Sequence, residues 1–323
     1  MQPIRIGIVG VGKIARDQHI PSILANPAYV LAAASSPHSR ADGVPNFSSI
    51  EEMLSQVKDL DAVAICTPPQ THYQAAKFAL QNGKHVLLEK PPCTSLSQLS
   101  HLIELAAAEN LSLYQTWHSQ HAPGVAPALA LLRQRRLLGA RVTWKEDVRV
   151  WHPGQAWIWQ AGGFGVLDPG INALSILTHL IAEPIFPESS ILYIPDNCET
   201  PIAANVCMRC DSGAAIHVEL DFRHTGTQTW DIEFDTDAGP MKLSAGGSEL
   251  TVGNAPLSHV AKLRSEYSSI YERFVDLVRA TRSEVDSRPM QLVADIFLIG
   301  RRIVVEPFVD ASPLPSTMRT GYS

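Results

Sequence analysis

Three stretches of this chain carry residue types that could do chemistry together. The first is Glu89-Lys90-Pro91-Pro92, directly after the apolar run 85–88. A lysine clamped between a strand end and two prolines presents its amine at a fixed place, where it can hold or take a proton. The competing reading is a solvated surface charge. The Lys90-Pro91 bond is of a type that can be cis, and sequence does not decide the isomer. The second stretch is Gly162-Gly163-Phe164-Gly165-Val166-Leu167-Asp168-Pro169-Gly170-Ile171-Asn172. A helix beginning here puts Asp168 and Asn172, four residues apart, on one face. There a carboxylate can exchange a proton while an amide donates to and accepts from a hydroxyl. Asp168 would also make a good helix N-cap, which is the competing reading.

The third stretch, 146–159 (EDVRVWHPGQAWIW), mixes carboxylates, an imidazole and indoles. Such a set holds a polyhydroxylated ligand, with polar groups on its hydroxyls and a ring against its C–H face. Glu146 and His152 are the leading hydroxyl binders, with His118 of Trp117-His118-Ser119 next. Trp151, Trp157 and Trp159 could supply the wall, and they read equally well as core or interface residues. His152 could also be a structural histidine with satisfied hydrogen bonds.

The elements that must position these groups follow from the pattern of the chain. Ile4–Val9 is a short, almost wholly apolar run of the kind found in a parallel strand covered on both faces. Further apolar runs at 29–34, 60–66, 85–88 and 111–116 alternate with helical spacing at 15–25, 71–81 and 95–109. Alternation of this length implies right-handed crossovers and a parallel sheet. The first strand runs into Gly10-Val11-Gly12-Lys13-Ile14-Ala15, a GxGxxA turn opening a helix. In that context Gly10 permits the tight turn, Gly12 leaves room for a pyrophosphate, and Ala15 lets helix and strand pack closely. The turn therefore reads as a dinucleotide site, NAD or NADP. Gly10, Gly12, Lys13, Ile14, Thr67, Pro68, Glu89 and Lys90 are the expected cofactor-facing residues near the strand ends. After the second strand comes Ser35-Ser36-Pro37-His38-Ser39-Arg40, with no carboxylate between Asp17 and Asp42. Ser35, Ser36, His38 and Arg40 could accept a ribose 2′-phosphate, so dual coenzyme use is the expectation, with a solvated Arg40 as the plainer alternative.

Beyond residue 120 the pattern becomes strand-rich. A strand starts at 141–148. Runs 204–209 and 214–222 flank Asp211-Ser212-Gly213, and Thr229–Thr236 and Met241–Ser244 flank Asp237-Ala238-Gly239. Both junctions read as hairpin turns. Helices are expected at 267–281 and 289–305. The fold class is thus α/β: an N-terminal Rossmann doubly wound parallel sheet over 1–118, then an α+β domain over 119–310 with a large, mainly antiparallel open-faced sheet. The late helix is expected to pack back on the first domain, and 311–323 reads as a flexible tail. A sheet with too few helices to cover both faces suggests a homodimer.

A length of 323 residues suits two domains. A net charge of −6 with 26 basic residues argues against nucleic acid, and no apolar run is long enough for a membrane span. The opening residues read as a strand rather than a secretion leader, so a cytoplasmic location is expected. Five cysteines at irregular spacing make no disulfide framework, and the single CxxC of Cys207 and Cys210 lacks a second pair for zinc.

GxGxxA, then EKP, then GGxGxxxDxGxN, in this order and at these separations, resembles the family of glucose–fructose oxidoreductase, inositol dehydrogenase and rhizopine catabolism proteins. The resemblance spans nearly the whole chain. The stretches around Gly12–His19, Trp144–Arg149, Trp151–Gln155 and Asp168–Ser175 look like those of its sugar 1-dehydrogenase branch, which oxidises the anomeric carbon of D-galactose or L-arabinose to an aldonolactone. What the resemblance implies is an NAD(P)-dependent enzyme with an aldose substrate. Many family members carry histidine, commonly assigned as the acid/base, where this chain has Asn172. The task then falls to Lys90 with Asp168, the pair sharing a proton, while Asn172 orients the sugar. Dehydrogenation of another sugar or polyol carbon, or dinucleotide sensing without turnover, are the alternatives.

Overall fold

The computed structural model describes residues 2–256 and 265–309; the expected tail at 311–323 lies outside them. Two compact units result, one from 2–121 with 265–290 and the other from 122–256 with 291–309.

The first unit is built on six strands: β1 (Ile4–Val9), β2 (Tyr29–Ser35), β3 (Asn46–Phe47), β4 (Ala62–Ile65), β5 (His85–Leu88) and β6 (Leu113–Gln115). They lie in the order β3-β2-β1-β4-β5-β6, and every neighbouring pair is parallel. All four residues of β4 are buried, as are all but one of β1, which explains their near-continuous apolar sequence. The chain winds outward from β1 in both directions, so the β1 and β4 ends flank a crevice at the carboxyl edge. The intervening helices are α1 (Ile20–Ala25), α2 (Ile50–Gln56), α3 (Pro69–Gln81) and α4 (Leu96–Ala108). Ser49 and Ser95 cap α2 and α4 by accepting the Glu52 and Gln98 backbone N–H groups.

One local departure from the spacing sits next to the glycine turn. The helix expected over 15–25 starts as a π-turn, Ala15–His19, before it becomes α1. Pro21 cannot donate to the carbonyl four residues back, and its ring crowds that oxygen. The wider turn just ahead of it accommodates both effects.

In the second unit α5 (Val125–Leu132) leads into β7 (Leu137–Lys145), followed by α6 (Val148–Trp151) and α7 (Leu167–Leu180). Seven more strands follow: β8 (Ile185–Pro195), β9 (Ala203–Cys210), β10 (Ala215–Asp221), β11 (Thr229–Thr236), β12 (Met241–Ser244), β13 (Glu249–Val252) and β14 (Ala255–Pro256). After α8 (Glu266–Ala280) and α9 (Arg288–Ile299) comes β15 (Gly300–Val305). The sheet order is β14-β13-β12-β11-β7-β10-β9-β8-β15, antiparallel except where β7 meets β10 and β8 meets β15. Both expected hairpins form. One face of the sheet is apolar and buried. The other is polar and carries ion pairs such as Lys145–Glu219 at 2.6 Å and Lys242–Asp231 at 2.7 Å. Cys207 and Cys210 occupy opposite faces of β9, because an odd spacing on a strand reverses the side chain. They cannot share a metal ion.

Two readings of this region need correction. The pattern over 289–305 is not one helix. It is α9 followed by β15, whose Arg301-Arg302-Ile303-Val304-Val305 run pairs with β8. The apolar spacing of α9 runs without a break into this β-branched segment, so only the strand partner separates them. That partner, β8, was itself masked by Pro187. The proline lies at a β-bulge, where the ladder needs no donor from it.

Helix α8 enters the first unit from far along the chain. Tyr267, Ile270, Tyr271, Phe274, Val275 and Leu277 pack into one core with Ile4, Ile6 and Ile8. Among the described residues no helix is long and apolar enough to cross a membrane.

Candidate active site

At the end of β1, Gly10 donates its N–H to the Ser35 carbonyl at 2.8 Å and has a φ of +89°. A Cβ there would sit 2.7 Å from Thr67 Cγ2 and 2.9 Å from the Thr67 nitrogen. Only glycine lets the turn lie this close to the β4 end. Gly10→Ala is therefore expected to weaken dinucleotide binding at least tenfold, from strain of roughly 3 kcal/mol, as read by fluorescence titration. Around Gly12 the situation is reversed, with nothing within 4 Å of a built Cβ. That open space at the start of a helix, on the carboxyl edge of a parallel sheet, fits a pyrophosphate. Ile14 packs against the core, and Lys13 pairs with Asp17 one turn on.

Arg16, which the sequence pattern did not single out, donates to the Val11 carbonyl at 3.4 Å and the Arg40 carbonyl at 3.2 Å. It fastens the glycine turn to the segment after β2. Ser36, Pro37, His38, Ser39 and Arg40 line a cavity of about 450 Å³, and Glu52 also lines it. Ser35 is buried, so the accessible polar groups of the segment begin at Ser36. The Glu52 carboxylate is already committed to the Ser48 N–H and hydroxyl, which hold it below the usual carboxylate range.

At the β4 end Thr67 is half-buried and the exposed Pro68 precedes α3. The buried His72 ring bridges this turn to the next, with nitrogens 2.5 Å from the Thr67 carbonyl oxygen and 2.9 Å from that of Pro91. Lys90 is half-buried and its bond to Pro91 is cis. Glu89, expected to face the cofactor, is only 4% exposed, and its carboxylate is engaged inside the first unit. Its Oε2 accepts the Lys90 N–H at 3.0 Å. Its Oε1 accepts from His19 Nε2 at 2.9 Å, the Thr116 hydroxyl at 2.9 Å and the Tyr267 hydroxyl at 2.8 Å. Glu89 thus ties β5, β6, the glycine-turn helix and α8 to the backbone of Lys90.

Burial alone would raise the Glu89 carboxyl, but the His19 hydrogen bond, the charge of the His19 and His118 rings in acid and the Tyr267 donor outweigh it and hold the group at about 2. A depressed carboxyl contributes stability that is fully present above its ordinary value of 4.5 and disappears as pH falls toward 2. The first unit is expected to lose on the order of 3 kcal/mol across that window. Acid unfolding followed by circular dichroism should be shallower in Glu89→Gln than in the parent.

In the second unit a separate cluster forms. Gly165, at φ +53°, passes so close to Pro201 that a Cβ would lie 2.2 Å from its carbonyl oxygen. This sets the entry into α7, whose N-cap is Val166 and has no side-chain cap. Asp168 lies within the first turn, so the capping role does not claim it. Its carboxylate is 3% exposed, with Oδ2 4.0 Å from His152 Nδ1. His152 Nε2 is 3.0 Å from Glu146 Oε1, and Trp230 Nε1 donates to Glu146 Oε2 at 2.7 Å. His152, Glu146 and Trp230 therefore form a hydrogen-bonded chain, with Asp168 4.0 Å beyond the imidazole and the half-buried Asn172 one helical turn further along α7. Trp151 stands edge-on to Trp230 at 4.6 Å and is 40% exposed. Trp159, half-buried, packs on Phe222 and Phe308. Trp230 lies in β11, remote in sequence from 146–159, and no local signal marked it.

A glycine turn at a doubly wound crevice, with a lysine at a neighbouring strand end, defines a dinucleotide-binding oxidoreductase. The family model described as "Oxidoreductase family, NAD-binding Rossmann fold" (Gfo/Idh/MocA) matches residues 4–116. Galactose 1-dehydrogenase of Pseudomonas fluorescens is 44% identical over 310 residues, spanning 96% of this chain and 100% of that protein. The crystal structure of D-galactose-1-dehydrogenase from Rhizobium etli has 47% identity and a TM-score of 0.91, covering 96% of this chain and 99% of that one. A 3-ketoreductase from Actinomadura kijaniata, solved with NADP and TDP-benzene, shares the fold at a TM-score of 0.83 and 19% identity, over 94% of this chain and 100% of that one. The chain belongs to the Gfo/Idh/MocA oxidoreductase family and is an NAD(P)-dependent enzyme.

Proposed function

We propose that this protein is an aldose 1-dehydrogenase that oxidises the anomeric carbon of D-galactose, and also L-arabinose, to the aldonolactone. The observation that carries the reading is the cluster of Asp168, His152, Glu146 and Trp230, two buried carboxylates beside an imidazole and an indole, in a protein similar over 96% of its length to a galactose 1-dehydrogenase. Two carboxylates, an imidazole and an amide suit a ligand that is mostly hydroxyl groups.

In this reading Lys90 takes the proton of the anomeric hydroxyl, with Asp168 as the carboxylate that shares it. Asn172 cannot exchange a proton usefully and instead orients a sugar hydroxyl. Glu146, His152 and His118 hold others, and Trp151 offers its exposed face to the C–H side of the ring. The bound nicotinamide supplies the hydride acceptor. The ring oxygen of the sugar stabilises positive character at C1, which makes that carbon easier to oxidise than an ordinary carbinol. D-galactose and L-arabinose differ by one exocyclic hydroxymethyl, and a pocket discriminates weakly on a group of that size.

Ser36, His38 and Arg40 support use of NADP as well as NAD. Replacing Arg40 with Ala is expected to raise the NADP KM about tenfold while leaving that for NAD within twofold. The test of the whole reading is reduced-cofactor absorbance with a panel of aldoses and polyols and both coenzymes, coupled to trapping of lactone with hydroxylamine. Lactone from galactose supports it. A keto sugar would move oxidation to another carbon, and tight coenzyme binding without turnover would make the protein a sensor. The face of the second sheet that its own helices leave uncovered supports a homodimer, and sedimentation as a monomer at micromolar concentration would overturn the dimer.

A further inference from the structure

The geometry points to Glu266 as a positioning residue that fixes His118 with its proton on Nδ1, leaving Nε2 as the acceptor for a substrate hydroxyl. Naming that hydroxyl as a sugar's rests on the function proposed above; the assignment of the ring does not.

His118 opens the short 3-10 turn His118–His121 just beyond β6. Leu88 of β5 pairs with Gln115 of β6, and the Thr116 N–H donates to the Leu88 carbonyl at 2.9 Å. Lys90 and His118 thus leave neighbouring strands at the same edge of the sheet. His118 Nδ1 lies 2.6 Å from Glu266 Oε2, with the two side chains 19% and 29% exposed. A carboxylate only accepts, so the hydrogen on that bond belongs to the ring. The Ser119 hydroxyl also approaches Nδ1, but at 3.4 Å it competes poorly with a charge-assisted bond 0.8 Å shorter. A neutral imidazole has one N–H, and with that hydrogen on Nδ1 the lone pair falls on Nε2. Among the described residues no side chain or carbonyl occupies Nε2 of His118.

The ring is also held in plane. It stacks on Tyr267 with centroids 5.6 Å apart and 22° between planes. The Tyr267 hydroxyl in turn donates to Glu89, whose other oxygen holds the Lys90 N–H. Two consecutive residues in the first turn of α8 therefore hold this edge, Glu266 through the His118 ring and Tyr267 through Glu89 and the Lys90 backbone. Ser265 caps that turn by accepting the Ser268 N–H, which steadies its geometry. A plain surface ion pair would need neither the stack nor a ring nitrogen left open.

The test uses the full chain with dinucleotide bound and histidine labelled with nitrogen-15. With the ring uncharged, at the alkaline end of a pH titration, the signals of His118, assigned with His118→Asn, are expected to show a protonated Nδ1 and a bare Nε2. Glu266→Ala should lose that pattern, and adding galactose should shift the bare nitrogen in the parent. In steady state Glu266→Ala is expected to raise the galactose KM about tenfold with kcat changed less than threefold. Glu266→Gln, whose amide oxygen still accepts from Nδ1, should recover most of the loss. A proton on Nε2, or an unchanged KM in Glu266→Ala, overturns the assignment. If no aldose is turned over, the proposed function fails while the ring signals still decide the tautomer.

Discussion

Replacing Lys90 with Met is expected to lower kcat for galactose oxidation by two to four orders of magnitude, about the contribution of a well-placed general base. Methionine keeps the length and apolar stem of lysine and removes only the amine. The backbone N–H of residue 90 remains, so the bond to Glu89 Oε2 and the geometry of the turn persist. The fold, read by circular dichroism, should therefore be unchanged. Full turnover in this variant would remove Lys90 from the chemistry and return it to the role of a strand-end charge.

The second large effect is expected at Asp168. Asp168→Asn preserves shape and burial but removes the negative charge and the capacity to share a proton. A fall of at least a hundredfold in kcat/KM is expected, with the circular dichroism spectrum unchanged. The decisive comparison is the double variant with Lys90→Met. If the two residues hold one proton between them they act as a unit, and the combined loss should be close to the larger single loss rather than the product. A multiplicative loss would mean that the two side chains serve different steps.

The two halves of this protein were legible to different degrees. The Rossmann sheet could be read from strand length and apolar runs because strands buried on both faces have few sequence solutions. The second sheet revealed its hairpins through Asp-Ser-Gly and Asp-Ala-Gly, whose turn chemistry is local. It concealed β8 and β15, where a bulged proline and a strand continuing a helical pattern carry no local sign.

The site followed the same division. Gly10, Lys90 and Asp168 could be singled out because a turn, a strand end and a helix start are properties of a few adjacent residues. The sequence by itself determined the presence of a dinucleotide turn and the positions of the residues beside it. Tertiary structure alone decided which way Glu89 faces and that Asp168 is not the cap. It also brought Trp230 to Glu146, Glu266 to His118 and Tyr267 to Glu89. Those partners come from strands and helices far away in the chain. A hydrogen bond between two side chains depends on where their backbones meet, and that meeting is set by burial of the whole core rather than by either residue.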